Sequence, residues 1–150
     1  LLYELKNVVD VYHFSEGEKD SEVKLEKLQT ISTHNDKENN PLIAACQMRF
    51  SPDKDASHLF VSNAGINTIS IYDRDLKTGL LTMKGSLPIG GEYPKDFCIF
   101  PDEKHIAVAN NESGTITFLN VDYEHGLLSM SARELEVDEP NSICMVKCRG

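Results

Sequence analysis

An internal repeat constrains the fold of this chain more than any other feature. The segment VANNESGTITFLNVDYEHGLL, residues 108–128, closely resembles VSNAGINTISIYDRDLKTGLL, residues 61–81. Asn63 and Asn110 lie 47 positions apart (110 minus 63), and the same offset relates Thr68 to Thr115, Asp75 to Asp122 and Gly79 to Gly126. A period of roughly 20 to 50 residues is typical of solenoids and propellers, whose units bury apolar surface against their neighbours. The repeat therefore predicts a series of similar packed units.

Each unit of the repeat reads as four short strands. MRFSPDKD and CIFPDEK give a first strand with a Pro-Asp turn, HLFVSN and HIAVAN a second, and TISIYD and TITFLNVD a third. Alternation in the third strands puts Ile69 with Ile71 on one face, and Ile116 with Phe118 on the equivalent face. DLKTGLLTMKGSL and DYEHGLLSMSARELEV then give a glycine turn and a fourth strand. Four strands in about 47 residues match a β-propeller blade.

Partial copies of the unit flank the two complete ones. VVDVYHF (residues 8–14) and KLEKLQTI (24–31) fit third and fourth strands joined by a charged loop over 16–22. A helix over Glu18–Gln29 is the competing prediction, but its apolar residues do not hold a helical stripe. NSICMVK (141–147) fits one more inner strand. The predicted division is half a blade over about 1–33, blades over 34–89 and 90–137, and the inner strand of a closing blade over 138–150.

These patterns predict an all-β chain of four-stranded antiparallel blades that forms only part of a ring. A propeller closes with about four to eight blades, and an open arc would expose apolar sheet faces. We therefore expect the missing blades to come from another chain or from a second copy.

Composition excludes several function classes. The net charge is -9, from 24 acidic and 15 basic residues, which argues against nucleic acid and anionic membranes as partners. No stretch approaches the roughly 18 apolar residues of a membrane span. Cys46, Cys98, Cys144 and Cys148 form no CxxC pair or zinc spacing, so we expect free thiols in a reducing cytoplasm and no metal site.

The chain resembles the C-terminal part of the seven-bladed lactonase propellers. The resemblance is carried by HNDKENNPLIAACQMRFSPDKDASHLFVSNAGINTISIYD, GGEYPKDFCIFPDEKHIAVANNESGTITFLNVD and EPNSICMVK. That family includes 6-phosphogluconolactonases and carboxymuconate lactonizing enzymes. The resemblance implies about three blades of a seven-bladed ring, here the C-terminal portion. It also implies hydrolysis of a small anionic lactone, a sugar-acid lactone such as 6-phosphogluconolactone, without a cofactor.

Two classes of loop converge at one rim of a propeller channel, and a ligand pocket is expected there. The loops that lead into the inner strands are 34–41, 90–95 and 138–141; the turns between second and third strands are 4–7, 63–67 and 110–114. By the resemblance, Glu4 is the candidate catalytic carboxylate, which could activate water. Lys95 stands where the family often has Arg and would hold an anion as a point charge. Asn63, Asn111 and His34 are the other candidate substrate-binding residues.

Each candidate also has a structural interpretation: Glu4, Lys95 and His34 as solvated rim residues, and Asn63 as a turn residue. Ala64 departs from the family, which usually has Arg there to bind a carboxylate or phosphate and a developing oxyanion. This departure favours an alternative function, a non-catalytic or decayed propeller that binds a ligand or protein through the same rim. A surface-layer repeat protein is a third and weaker interpretation.

Overall fold

The computed structural model describes residues 1–17, 23–35 and 41–146. Every regular element in those ranges is a β-strand, and no helix there is long and apolar enough to cross a membrane. The strands are β1 (Leu2–Tyr3), β2 (Val8–Glu16), β3 (Val23–Ser32), β4 (Ala44–Phe50), β5 (His58–Ala64), β6 (Thr68–Arg74), β7 (Leu81–Pro88), β8 (Pro94–Ile99), β9 (His105–Asn110), β10 (Thr115–Asp122), β11 (Leu127–Met130) and β12 (Leu135–Glu136).

The strands form three antiparallel sheets, so the all-β prediction is confirmed. The N-terminal sheet has the order β1-β2-β3, and the middle sheet has the order β4-β5-β6-β7. In the C-terminal sheet β8, β9 and β10 are neighbours, and both β11 and β12 pair with β10. Consecutive strands pair within each sheet, apart from the extra pairing of β12 with β10.

The structure refines several strand predictions. Residues 23–29 belong to β3, which pairs with β2 over Val9↔Ile31 to Glu16↔Val23, so they do not form the alternative helix. Residues 18–22 lie outside the described residues. The fourth strand of the C-terminal sheet is split into β11 and β12, with residues 131–134 between them. No strand forms over 141–146, where the Ile143 N–H donates to the Asp96 side chain; Lys147 lies outside the described residues.

The middle sheet is buried on both faces, whereas its neighbours each bury one. One core joins Phe60, Ile69 and Ile71 of the middle sheet to Phe97, Ile106, Val108 and Leu119 of the C-terminal sheet. A second core joins Leu59, Val61 and Tyr72 of the middle sheet to Val9 of the N-terminal sheet. Ile69 and Ile71 are fully buried, but their counterparts Ile116 and Phe118 are only half-buried. The difference arises because, among the described residues, no further sheet packs on that face of the C-terminal sheet.

Three equivalent turns fix how the sheets correspond. The strand pairs close at Tyr3↔Val8, Asn63↔Thr68 and Asn110↔Thr115. The last residue of each turn has a left-handed φ, 53° at Asn7, 54° at Asn67 and 60° at Gly114. Asn and Gly are the residues that adopt this conformation most readily. Glu4, Ala64 and Asn111 therefore occupy the same position in successive sheets.

Candidate functional site

A cavity of about 420 Å³ opens where the three sheets converge. Its lining residues are Leu2 and Glu4 from the N-terminal sheet, Ala45 and Cys46 from the middle sheet, and Tyr93 and Lys95 from the C-terminal sheet. The structure thus brings together two of the residues predicted from sequence, Glu4 and Lys95. We call this space the rim cavity.

The turn that carries Glu4 is pinned to the start of β4. The Asn7 side chain donates from Nδ2 to the Ile43 carbonyl oxygen at 2.9 Å and accepts from the Ala45 N–H at 3.0 Å. The same Ala45 N–H lies 3.2 Å from the Glu4 carbonyl oxygen. These bonds fix the backbone at Glu4, whose side chain is exposed at the mouth of the rim cavity.

Cys46 and Lys95 are equivalent bulge residues. The register of β4 against β5 shifts between Ala45 and Gln47, and that of β8 against β9 shifts between Pro94 and Asp96. A bulge leaves one residue unpaired and redirects its side chain, and bulges are frequent beside active sites. Both bulge residues line the rim cavity as a result.

Sequence reasoning did not identify Cys46. Pro94 offers a signal for the Lys95 bulge, because a strand proline has no N–H for the ladder. No comparable signal marks Cys46, because the repeat offset of 47 pairs it with Tyr93, and only the strand registers make Cys46 and Lys95 equivalent.

Tyr93 is held in place beside Lys95. Tyr93 has a left-handed φ of 59°, its N–H donates to Asn67 Oδ1 at 3.0 Å, and its carbonyl oxygen accepts from the Asn111 N–H at 2.9 Å. Lys95 Nζ lies 5.5 Å from the centre of the Tyr93 ring. Such a cation–π contact contributes about 0.5–1 kcal/mol at an exposed site and restrains the ammonium.

The cavity holds two opposite charges and two neutral donors. Burial raises the pKa of the Cys46 thiol, and the Glu4 carboxylate raises it further while Lys95 opposes the rise. The negative charge of an ionised Cys46, then burial, then Glu4 raise the pKa of Tyr93. Both groups therefore stay protonated at neutral pH. Glu4 and Lys95 carry the charge, a carboxylate that can accept a proton and an ammonium that can hold an anion.

Asn63 is not among the residues that line the rim cavity, and substrate binding by Asn63 stays a prediction. Its side chain is buried and donates from Nδ2 to the Thr33 carbonyl oxygen at 2.8 Å and to Ser70 Oγ at 3.2 Å. Asn110 repeats this arrangement with Thr115 and Thr117 at 3.3 and 3.2 Å. In both places the amide ties the second strand to the third, which is a structural role.

Asn111 and His34 are not among the residues that line the rim cavity. Asn111 Nδ2 lies 3.4 Å from the Pro140 carbonyl oxygen and 3.5 Å from Asn141 Oδ1, so it contacts the C-terminal segment. The His34 N–H donates to Ser32 Oγ at 3.3 Å, and residues 36–40 of its loop lie outside the described residues. Substrate binding by these two residues stays a prediction.

Ala64 is buried although its counterpart Glu4 is exposed. The next residue, Gly65, has a φ of +80°, and a Cβ there would lie 2.4 Å from the Leu42 carbonyl oxygen. The chain leading into β4 therefore packs directly on this turn.

No group of three or more His, Cys, Asp or Glu side chains is arranged to hold a metal ion in the parts of the chain that the structure describes.

Comparison with known proteins gives one family and a consistent set of relatives. The family model described as "Lactonase, 7-bladed beta-propeller" matches residues 1–146. A 6-phosphogluconolactonase of Formosa agariphila is 33% identical over 103 residues, which are 67% of this chain and 29% of that protein. The 6-phosphogluconolactonase of Bacillus subtilis is 25% identical over 87 residues, 58% of this chain and 25% of that protein.

Solved structures show the same fold. A Bacteroides fragilis protein superposes with a TM-score of 0.80 at 25% identity, covering 96% of this chain and 37% of the other. The periplasmic gluconolactonase of Pseudomonas aeruginosa superposes with a TM-score of 0.78 at 22% identity, covering 91% and 36%. The chain thus spans between a quarter and two fifths of the length of these relatives, and its three sheets are blades of a propeller.

Proposed function

This chain belongs to the lactonase family of seven-bladed β-propellers, and from that premise we propose that it is part of an enzyme that hydrolyses a lactone in the rim cavity. The substrate we propose is an anionic sugar-acid lactone such as 6-phosphogluconolactone. One observation carries the proposal: Glu4 and Lys95, from the first and third sheets of this chain, line the same cavity.

In the proposed reaction, Glu4 accepts a proton from a water molecule as the water oxygen attacks the lactone carbonyl carbon. The acyl C–O bond of the ring then breaks, and the ring oxygen takes the proton that Glu4 had accepted and leaves as an alcohol. Water and lactone thus give one hydroxy acid. A positioned carboxylate base of this kind contributes about 10²–10⁴-fold to a rate.

The other cavity residues have supporting roles in this proposal. Lys95 holds the anionic group of the substrate as a compact charge restrained over Tyr93. The Cys46 thiol and the Tyr93 hydroxyl, both kept protonated, are neutral donors on the intervening wall. The remaining donors for a developing oxyanion would come from the other blades.

We also propose that further blades cover the outer face of the N-terminal sheet. Phe14, Val23 and Leu25 are each more than half exposed there, at 59%, 59% and 58%. Those blades could belong to the same polypeptide, to another chain or to a second copy. Cys46, Cys98 and Cys144 are free thiols, in keeping with the cytoplasmic location that we propose.

The test is hydrolysis of 6-phosphogluconolactone by the full protein that contains this chain, followed by NMR. We expect Glu4→Gln to lower kcat by about 10²-fold or more. Glu112→Gln is the matched control, because Glu112 is an exposed carboxylate on the equivalent turn of the C-terminal sheet and does not line the cavity. Unchanged activity of the Glu4 variant would remove Glu4 from the mechanism.

The burial of Ala64 favours a second candidate, a propeller that binds an anionic ligand without turning it over. This candidate predicts no lactone hydrolysis by the wild-type protein, together with binding of the ring-opened acid that Lys95→Met weakens. Calorimetric titration with 6-phosphogluconate separates the two candidates.

A further inference from the structure

We propose that Asp96 is a positioning residue that sets the direction of Lys95 into the rim cavity. The inference rests on the proposed function, because it takes Lys95 as the group that holds the anionic substrate. It is carried by hydrogen bonds that join inner-strand residues of successive sheets just beyond the bulges.

Asp96 is a buried carboxylate at the junction of three chain segments, with 4% of its surface exposed. Its Oδ1 accepts from Arg49 Nη2 at 2.8 Å, from Gln47 Nε2 at 3.2 Å and from the Phe97 N–H at 2.8 Å. Its Oδ2 accepts from Ser142 Oγ at 2.9 Å and from the Ile143 N–H at 3.0 Å. One side chain therefore links β4, β8 and the C-terminal segment.

The bonds to Asp96 fix the backbone next to Lys95. Asp96 accepts from the N–H of Phe97, and Arg49 Nε donates to the carbonyl oxygen of Phe97, so both ends of that residue are held. On the other side of Lys95, the proline ring restricts the backbone of Pro94. A bulge residue bounded in this way has little freedom to swing, and its ammonium stays over Tyr93.

The middle sheet has an equivalent hydrogen-bond arrangement, with a neutral amide in place of the Asp96 carboxylate. Gln47 is the counterpart of Asp96, and its Oε1 accepts from the Met48 N–H at 3.0 Å, as Asp96 does from Phe97. Its Nε2 donates to Asp96, so the side chains at 47, 96 and 142 form a chain of hydrogen bonds along the inner strands. Only at Asp96 is the junction a carboxylate paired with an arginine. The charge-assisted bonds stiffen the bulge that carries Lys95 more than the one that carries Cys46.

A positioning role makes a prediction that a purely structural role does not. In the full protein, we expect Asp96→Ala to raise KM for 6-phosphogluconolactone about tenfold and to change kcat less than about twofold, because substrate anchoring is lost and Glu4 is untouched. KM for the neutral gluconolactone should stay within about twofold. In a Lys95→Met background, Asp96→Ala should raise KM no further. Asp53→Asn is the control, because Asp53 lies in the turn after β4 and does not line the rim cavity.

Equal changes in KM for both lactones, or a full additional loss in the Lys95→Met background, would overturn the positioning role. If the wild-type protein hydrolyses no lactone, the proposed function fails, and calorimetric binding of 6-phosphogluconate then decides the inference. About tenfold weaker binding by Asp96→Ala, absent in the Lys95→Met background, supports positioning. Unchanged binding, or a wild-type protein that does not bind, overturns it.

Discussion

The middle and C-terminal sheets use the same backbone frame to present different side chains. Each begins with a bulge that lines the rim cavity, with Cys46 in one and Lys95 in the other. Each has a buried asparagine that ties its second strand to its third, Asn63 or Asn110. The positions that follow those asparagines differ, since Ala64 is buried and Asn111 is partly exposed.

The residues that build a blade are therefore distinct from the residues that line the rim cavity. The residues that share a role in both sheets are buried, hydrogen-bonded or in left-handed turns, and they define the frame. The bulge and turn positions vary because their side chains leave the ladder and contribute little to sheet stability. Function can therefore change at these positions while the fold is retained.

Glycine substitutions should give the largest difference between the turns of the two sheets. Gly65→Ala should lower the free energy of unfolding by about 3–5 kcal/mol, because its Cβ would lie 2.4 Å from the Leu42 carbonyl oxygen at a φ of +80°. Gly114→Ala should cost only about 1–2 kcal/mol, because the nearest atom to its Cβ lies 3.6 Å away. Urea denaturation of the full protein measures both, and equal losses would contradict the packing at Leu42.

The next largest difference in stability should be between substitutions of Asp96 and Gln47, whose side chains join the inner strands. Asp96→Ala should cost about 2–4 kcal/mol, because it removes five hydrogen bonds and leaves Arg49 without its carboxylate. Gln47→Ala should cost about 1 kcal/mol, because it removes two hydrogen bonds of a neutral amide, one of them to Asp96, and leaves the Arg49–Asp96 pair in place. The same denaturation experiment compares them, and a larger loss for Gln47→Ala would show that the charged junction is not the stronger one.

Alanine substitutions of the two buried asparagines should differ by a smaller amount in the free energy of unfolding. The two Nδ2 hydrogens of Asn63 are shared between the Thr33 carbonyl oxygen at 2.8 Å and two hydroxyl groups at 3.2 and 3.4 Å, whereas those of Asn110 reach two hydroxyl groups at 3.2 and 3.3 Å. We expect Asn63→Ala to cost about 1 kcal/mol more than Asn110→Ala, the contribution of one buried hydrogen bond. If the order is reversed, the extra bond to Thr33 does not stabilise the middle sheet.

Lowering the pH should remove a modest contribution that Asp53, in the turn after β4, makes to the free energy of unfolding. Burial alone would raise the pKa of Asp53, but hydrogen bonds from Ser51, Ser57 and Asp55 lower it from 3.8 to about 2. A carboxyl with a lowered folded pKa stabilises the protein fully above its unfolded pKa, and this stabilisation is lost as the pH falls from about 4 to 2.

Asp53→Asn tests that contribution through thermal unfolding at pH 7 and pH 2. The substitution should cost on the order of 1 kcal/mol at pH 7 and markedly less at pH 2. A cost that is the same at both pH values would show that the ionised carboxylate is not the stabilising form.

The repeat predicted most of the fold because it aligns features that the backbone requires. Most strands from β2 to β10 lie where alternation and turn residues put them, but β4 and β8 begin four residues before the predicted segments; the register confirms the correspondence of Glu4, Ala64 and Asn111. The division of the fourth strand around residues 131–134 and the lack of a strand over 141–146 depend on which neighbours are present to pair. Such pairing is a tertiary effect that a local pattern does not contain.

The candidate site was only partly predictable for the same reason. Glu4 and Lys95 were found through a resemblance, but the bulges that aim Lys95 and Cys46 at one cavity are visible only in the register. The burial of Asn63 was not predictable either, because the sequence of a strand end does not show whether a polar residue faces a pocket or is buried beside the next loop. Burial decides between those roles, and it depends on Thr33 of the preceding sheet.

The most direct test of this account is a double-mutant cycle on kcat/KM for 6-phosphogluconolactone in the full protein. The variants are Glu4→Gln, Lys95→Met and the pair together. If both groups act on one bound molecule, Glu4→Gln lowers kcat/KM through kcat, Lys95→Met lowers it through KM, and the pair loses about the product of the two single losses. If either single variant keeps the wild-type kcat/KM, the rim cavity is not the lactone site described here.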